Sequence, residues 1–144
     1  MALVHALLGQ WMPTLGASLG RRKVGKVILH GQSRRAYAFE VHHAQAGDGL
    51  SDVPAVYIYA RNQALAAGSG PGFTIGFIGR TDNMGQRAGE HERLGHFAGH
   101  AFDSLLILRV EHEPIRIDIE RDLIEHHRPA LNELLRGYQG NVHS

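Results

Sequence analysis

Ala55-Val-Tyr-Ile-Tyr-Ala60 and Phe73-Thr-Ile-Gly-Phe-Ile78, joined through Ala66-Ala-Gly-Ser-Gly-Pro-Gly72, decide the fold. Both runs are rich in β-branched and aromatic residues and free of charge, which suits buried strands. The connector is small and glycine-rich, so the second run reads as the returning strand of a hairpin. Gly70-Pro-Gly72 is a turn and not a phosphate loop, because no Lys-Ser/Thr pair follows it. Downstream, Asp82 to Leu94 can be helical with Thr81 or Asp82 as N-cap. Ala101 to Val110 holds a third strand around Leu105-Leu-Ile-Leu-Arg-Val110. Glu113-Pro114 opens a second helix, since proline is tolerated at the first helical position. That helix ends near Arg128-Pro129, because a residue before proline disfavours the α region. Leu131 to Leu135 closes as a short helix. Upstream, Lys26-Val-Ile-Leu-His30 and Ala36-Tyr-Ala-Phe-Glu-Val41 flank the turn Gly31-Gln-Ser-Arg-Arg35 and make another hairpin, and His42 to Val53 reads as a loop. The apolar start is expected to form a short helix, Ala2 to Trp11, packed on the body or on a second subunit, with Leu7, Leu8 and Trp11 as packing residues. The order of elements is that of an α+β protein with an antiparallel sheet.

The chain has 144 residues, one domain's worth, and a formal net charge of +1. So small a charge argues against a protein that holds DNA by bulk attraction. The absence of cysteine excludes a disulfide framework, a thiolate zinc site and a cysteine nucleophile. Thirteen of the fifteen cations are Arg, which favours directed bidentate contacts. Arg21, Arg22, Lys23, Lys26, Arg34 and Arg35 form the one basic concentration, either a solvated hairpin rim or an arm that touches phosphates. No apolar run approaches the roughly 18 residues of a membrane span, so a soluble, cytoplasmic protein is expected.

Four elements carry polar residues that packing alone would not request. Tyr57 lies on a strand that otherwise reads as buried, as a core tyrosine with a satisfied hydroxyl or as a functional one. Phe77-Ile-Gly-Arg-Thr81 runs from strand through Gly79 toward a helix N-terminus, a junction whose N–H groups and dipole suit a phosphate. Arg87 and His91 stand four residues apart on one helix face, about a turn beyond Thr81-Asp-Asn83; read alone, that face is a solvated one. In the second helix, at about 100° per residue, Ile115, Ile117, Ile119, Leu123 and Ile124 define an apolar arc. Glu120 is the only carboxylate inside it; Asp118, Asp122 and Glu125 fall outside. A carboxylate against the core needs a cation, a metal or several donors to stay ionised, and an internal ion pair with Arg116 is one such arrangement. His91, His96 and His100 imitate a zinc ligand run, but Gly95 and Gly99 break the helix that would align them. His96 and His100 are expected on the loop after the helix, near substrate, and His126-His127 complements a helix C-terminus as cations.

In these positions the chain resembles the GIY-YIG nucleases, over about residues 52 to 136. Ala55-Val-Tyr57 resembles the family's first signature and Phe77-Ile-Gly79 its second. Arg80-Thr-Asp-Asn83, Arg87 and Glu90-His91 match the run of basic, small polar, Asn, Arg and His or Tyr residues that follows. Glu120-Arg-Asp-Leu-Ile124 and Pro129-Ala-Leu-Asn132 are similar to its metal-binding Glu and closing Pro-x-x-Asn. The resemblance implies a central three-stranded antiparallel sheet flanked by helices in residues 51–138. Residues 1–50 would form an N-terminal extension (the short helix and basic hairpin) packed on that core, and 139–144 a tail. It implies an endonuclease that hydrolyses a phosphodiester of DNA, single-stranded or structured, with one divalent cation, Mg²⁺ or Mn²⁺, on Glu120. Tyr57 would take a proton from the attacking water, with His91 a second candidate or partner, and Arg87 would contact the scissile phosphate. Arg80, at the family's Lys position, would polarise the phosphate or lower the tyrosine's pKa. Phe77, Gly79, Thr81, Asn83 and His100 would meet substrate, and Asn132 would orient the metal site from behind its ligand. The expected partner is nucleic acid, with no membrane, and the expected state a monomer or weak homodimer.

Three departures from the family pattern matter. Ala55 replaces the first glycine, residues 58–76 make a long linker between the signatures, and Phe77 replaces the second tyrosine. Retention of Tyr57 keeps a mechanism through the first tyrosine open. Loss of the second hydroxyl motivates a different reading, a catalytically impaired module that binds nucleic acid or a partner on the same fold. A purely structural dimer built on the apolar N-terminal segment is a third.

Overall fold

The computed structural model describes residues 3–5, 23–44, 50–64 and 71–135. Strands β1 (Leu3–His5), β2 (Lys23–His30), β3 (Ala36–His43), β4 (Ala55–Ala64), β5 (Pro71–Thr81) and β6 (Ser104–Arg109) are joined by helices α1 (Met84–Leu94), α2 (Glu113–His127) and α3 (Ala130–Leu134). All strand pairs are antiparallel, in one curled sheet of order β1-β5-β4-β6-β3-β2. The α+β class and the order of strands and helices from residue 23 onward agree with the sequence reading. Three strands were expected in the central sheet. Those three, β5-β4-β6, are contiguous, but the sheet runs on past both sides of them. The reason lies in β6: its apolar run leaves main-chain N–H and C=O groups on a buried edge, and β3 satisfies them from Glu40↔Ile107 to His43↔Ser104. The N-terminal hairpin therefore extends the sheet edge to edge.

Other expectations require correction. Residues 3–5, expected within a helix, are extended and pair with Thr74, Phe73 and Gly72 along the outer edge of β5, whose main chain needs a partner there. The remainder of that expected helix, with Trp11, Leu7 and Leu8, lies outside the described residues, as do Arg21, Arg22 and the tail 139–144. The third strand spans only Ser104–Arg109. Of the expected loop 42–53, His42 and His43 belong to β3, while residues 45–49 lie outside the description.

Alternation along the strands divides the interior in two. Val27, Leu29, Phe39, Val56, Ile58, Ile75, Ile78 and Leu106 face α2, which lays Ile119 and Leu123 against them. Ala55, Tyr57, Tyr59, Phe77, Leu105 and Ile107 face the other way, toward Met84 and Ala88 of α1 and Leu131 of α3. Helix α2 is also tied to the β2–β3 turn. Asp122 accepts from Ser33 N at 2.8 Å, Ser33 Oγ at 2.6 Å and Tyr37 Oη at 2.6 Å. Any Cβ on Gly31 would collide with that carboxylate, which explains the glycine. At the helix end, His127 Nε2 donates to the His30 carbonyl at 3.1 Å.

Burial alone would push the Asp122 carboxyl up, but the Ser33 and Tyr37 hydrogen bonds outweigh it and hold it below the usual value. The stabilisation is therefore present above the unfolded carboxyl's pKa and is lost as pH falls through the lower folded one. Hydrogen bonds to a charged group contribute about 1.5–3 kcal/mol, and partial exposure reduces that. Asp122→Ala is expected to lower unfolding stability by about 1–2 kcal/mol at neutral pH in urea titrations, and by less in strong acid.

Candidate active site

Tyr57 stands on β4 directly opposite Gly79 of β5. Its ring lies across that glycine: a Cβ at residue 79 would come within 2.6 Å of the Tyr57 ring end and 3.0 Å of Phe77. Gly79 is thus a seat for the tyrosine, deep in a strand that continues to Thr81. The strand does pass through Gly79 to the start of α1, but that start offers no free N–H groups to a phosphate. The N-cap is Asn83 and not Thr81 or Asp82, and every N–H of the first turn is engaged. Met84 N donates to Val53 O at 2.8 Å, Gly85 N to Ser51 O at 3.1 Å, Gln86 N to Asn83 Oδ1 at 2.9 Å and Arg87 N to Asn83 O at 3.0 Å. Thr81 Oγ1 accepts from Asn83 N at 2.9 Å and donates to Asn83 O at 3.0 Å. Thr81 and Asn83 build the helix start, with the Thr81 side chain itself buried.

From that start, α1 carries Arg87 and His91 inward, onto the face of the sheet that holds Tyr57. The Tyr57 hydroxyl lies 2.7 Å from His91 Nε2, and Arg87 Nη1 donates to it at 3.4 Å. Arg87 Nε is held by Glu90 at 3.1 Å, and Nη1 also reaches the Arg80 carbonyl at 3.4 Å. On the far side of the imidazole, His91 Nδ1 is 2.8 Å from His96 Nδ1. The His91 ring is walled by Tyr57, Tyr59, Phe77 and Phe97, with centroids 4.7–5.6 Å away. Burial, then the His96 and Arg87 charges, depress its pKa to about 3, so the imidazole is neutral across the physiological range. A phenol between a neutral imidazole and a guanidinium has a proton acceptor on one side and a stabiliser of its anion on the other.

Arg80 pairs with Val56, so its side chain projects to the opposite face, toward α2. There its Nη1 donates to Glu120 Oε1 at 2.5 Å. Glu120 is buried, as its place in the apolar arc requires, but its partner is Arg80 and not Arg116. Arg116 is spent on the Val110 and Glu111 carbonyls at 2.8 and 3.0 Å, because α2 begins just beyond β6 and its first turns sit over that connection. The expected site therefore consists of two halves on opposite faces of the sheet. Tyr57, Arg87 and His91 lie on one face and Arg80–Glu120 on the other, joined where Arg87 touches the Arg80 main chain. Tyr57, Arg87 and His91 are at most 2% exposed.

The remaining expected residues are accounted for as follows. Phe77 is fully buried against His91 and Phe97 and presents no stacking face to solvent. His100 is exposed and stacks on Phe102, with centroids 5.6 Å apart, away from Tyr57. Asn132 donates to Ile78 O at 2.7 Å and accepts from Ile78 N at 2.9 Å, so its amide takes the part of a neighbouring strand beside β5. Its contact is thus with the strand that carries Arg80. Glu90, matched above only beside His91, and His96, expected on the loop after the helix, also belong to the cluster. The signal for His96 was the spacing His91-x4-His96 across Gly95, whose left-handed φ of 67° turns the chain back onto the helix end.

For a hard divalent cation, Glu120 offers one carboxylate. Among the described residues no three His, Asp or Glu side chains are grouped to hold an ion. Glu120 is buried and ion-paired with Arg80, so a hydrated ion on this one carboxylate would require that pair to open.

Two outcomes follow for stability. Gly79→Ala is expected to cost about 1–3 kcal/mol through overpacking, with loss of the near-ultraviolet signal of the Tyr57 cluster. His127, also buried, has its pKa lowered to about 4 by burial and by His126. In the unfolded chain both His91 and His127 protonate near pH 6.5, so stability rises with pH between about 4 and 6.5 as the unfolded state binds the extra protons. Near pH 5 these two residues contribute up to about 2.7 kcal/mol per pH unit, and His127→Gln should remove about half of that in pH-resolved denaturation. No family model, curated protein or solved structure matches this chain.

Proposed function

We propose that the protein is a metal-dependent endonuclease that hydrolyses phosphodiester bonds in DNA, single-stranded or structured, by a GIY-YIG-type mechanism. The observation that carries the reading is the Tyr57 hydroxyl held between His91 Nε2 at 2.7 Å and Arg87 at 3.4 Å, with Arg87 in turn on the Arg80 main chain. In this reading Tyr57 receives a proton from the attacking water after its own has moved onto His91. Arg87 offsets the charge that builds on the phosphate. Glu120 would hold Mg²⁺ or Mn²⁺, which supplies positive charge for the leaving oxygen when bound. Arg80 occupies Glu120 in the free protein, so substrate must draw Arg80 onto its phosphate for the carboxylate to accept a cation. No helix among the described residues is long and apolar enough to cross a membrane. With a net charge of +1, few phosphate contacts and weak non-specific binding are expected.

The burial of Tyr57 and Arg87, the engaged helix start and the phenylalanine at residue 77 favour a second reading, a binding module without catalysis. One experiment separates the two. Single-stranded DNA, duplex DNA and RNA are incubated with Mg²⁺, Mn²⁺ or a chelator. Metal-dependent product that falls by about 10²-fold or more in Glu120→Gln and Arg87→Lys, with folding unchanged, supports the nuclease. Binding with no product under any condition supports the module.

A further inference from the structure

We propose that His96 is the outer member of a two-imidazole proton relay that connects the buried Tyr57 hydroxyl to solvent. The proposal rests on the nuclease reading for its purpose, but the relay itself is a property of the free protein. Tyr57 is fully buried, so its proton has no direct path to water. His91 Nε2 is 2.7 Å from the hydroxyl and His91 Nδ1 is 2.8 Å from His96 Nδ1, both hydrogen-bond distances. His96 is only partly buried, on the turn after α1.

Two facing Nδ1 atoms at 2.8 Å share one proton, so the two rings hold complementary tautomers, and the relay is built on the one in which His91 donates. In the resting order Tyr57 donates to His91 Nε2, and His91 Nδ1–H donates to His96 Nδ1. In the transfer, the Tyr57 O–H bond breaks and a His91 Nε2–H bond forms. The His91 Nδ1–H bond breaks and a His96 Nδ1–H bond forms. His96, now carrying a proton on each nitrogen, releases one from Nε2 to water. One proton leaves, no electron moves, and the phenolate is left facing Arg87. His91 stays neutral throughout, as its apolar walls demand; the transient positive charge falls on His96, where solvent reaches. The charged groups around His96 are Arg87 and Glu90, which act on it in opposite directions. A cavity of about 350 Å³ opens beside His91, lined by Tyr59, Phe97 and Phe102 among others.

The test compares His96→Ala and His96→Gln in the full chain. Glutamine can accept the His91 Nδ1–H bond but cannot pass a proton onward. Metal-dependent cleavage of DNA is expected to fall about 10²-fold in kcat in both variants with KM unchanged, and added imidazole should restore His96→Ala. Full activity in His96→Gln would reduce His96 to a hydrogen-bond support and overturn the relay, as would a loss that imidazole fails to restore. A readout independent of cleavage is the ¹⁵N resonance of the His91 ring. Exchange of its Nδ1 proton with water should slow in His96→Gln, and exchange unchanged from the parent overturns the relay even in a protein that cuts nothing. Slowed exchange without cleavage in the parent would leave the relay standing and remove the nuclease reading instead.

Discussion

The approach of the Tyr57 ring onto Gly79 is the constraint on which the rest of the site depends. A cross-strand aromatic–glycine pair lets the ring lie flat along the neighbouring strand rather than stand away from it. That posture carries the hydroxyl to the end of β5, where α1 begins. The α1 helix is anchored there by Asn83, Val53 and Ser51, so Arg87 and His91, one turn apart, arrive at the same oxygen from one side. Side chains larger than hydrogen at residue 79 would break this meeting without touching either partner.

The sheet keeps its two electrostatic problems apart. On the α1 face, a neutral imidazole and a guanidinium share a phenol. On the α2 face, a buried carboxylate is neutralised by Arg80. Placing both on one face would put Arg80 and Arg87 close together in a poorly solvated space, at a cost no single carboxylate offsets. Adjacent residues of a strand point to opposite faces, so Gly79 and Arg80 serve the two halves from neighbouring positions. The same alternation sets the two halves on either side of β5, whose main chain at Ile78 is paired by the Asn132 amide.

Much of the fold was legible because its signals are local. The β4 and β5 runs, the Pro114 helix start and the Arg128-Pro129 stop each depend on a few adjacent residues. The helical arc around Glu120 holds in its second half, where Ile119, Glu120 and Leu123 are buried, but not at its start, where Ile115 is 49% exposed and Arg116 is buried instead. What escaped were choices between partners. Arg116 and Arg80 are both plausible cations for Glu120 by type, and only packing brings Arg80 within 2.5 Å while sending Arg116 to two carbonyls. His96 read as a loop histidine because its meaning depends on the left-handed Gly95 folding it back on His91.

The sequence by itself determined the α+β class, most strand and helix positions, and the place of Glu120 against the core, because periodicity and turn chemistry act over a few residues. Only the tertiary structure decided that the N-terminal hairpin continues the sheet and that residues 3–5 form an edge strand. It alone divided the expected site between two faces and closed the α1 start to ligands. Those outcomes turn on which distant groups satisfy each buried donor and acceptor, a competition settled by the fold as a whole and not by any stretch of the chain.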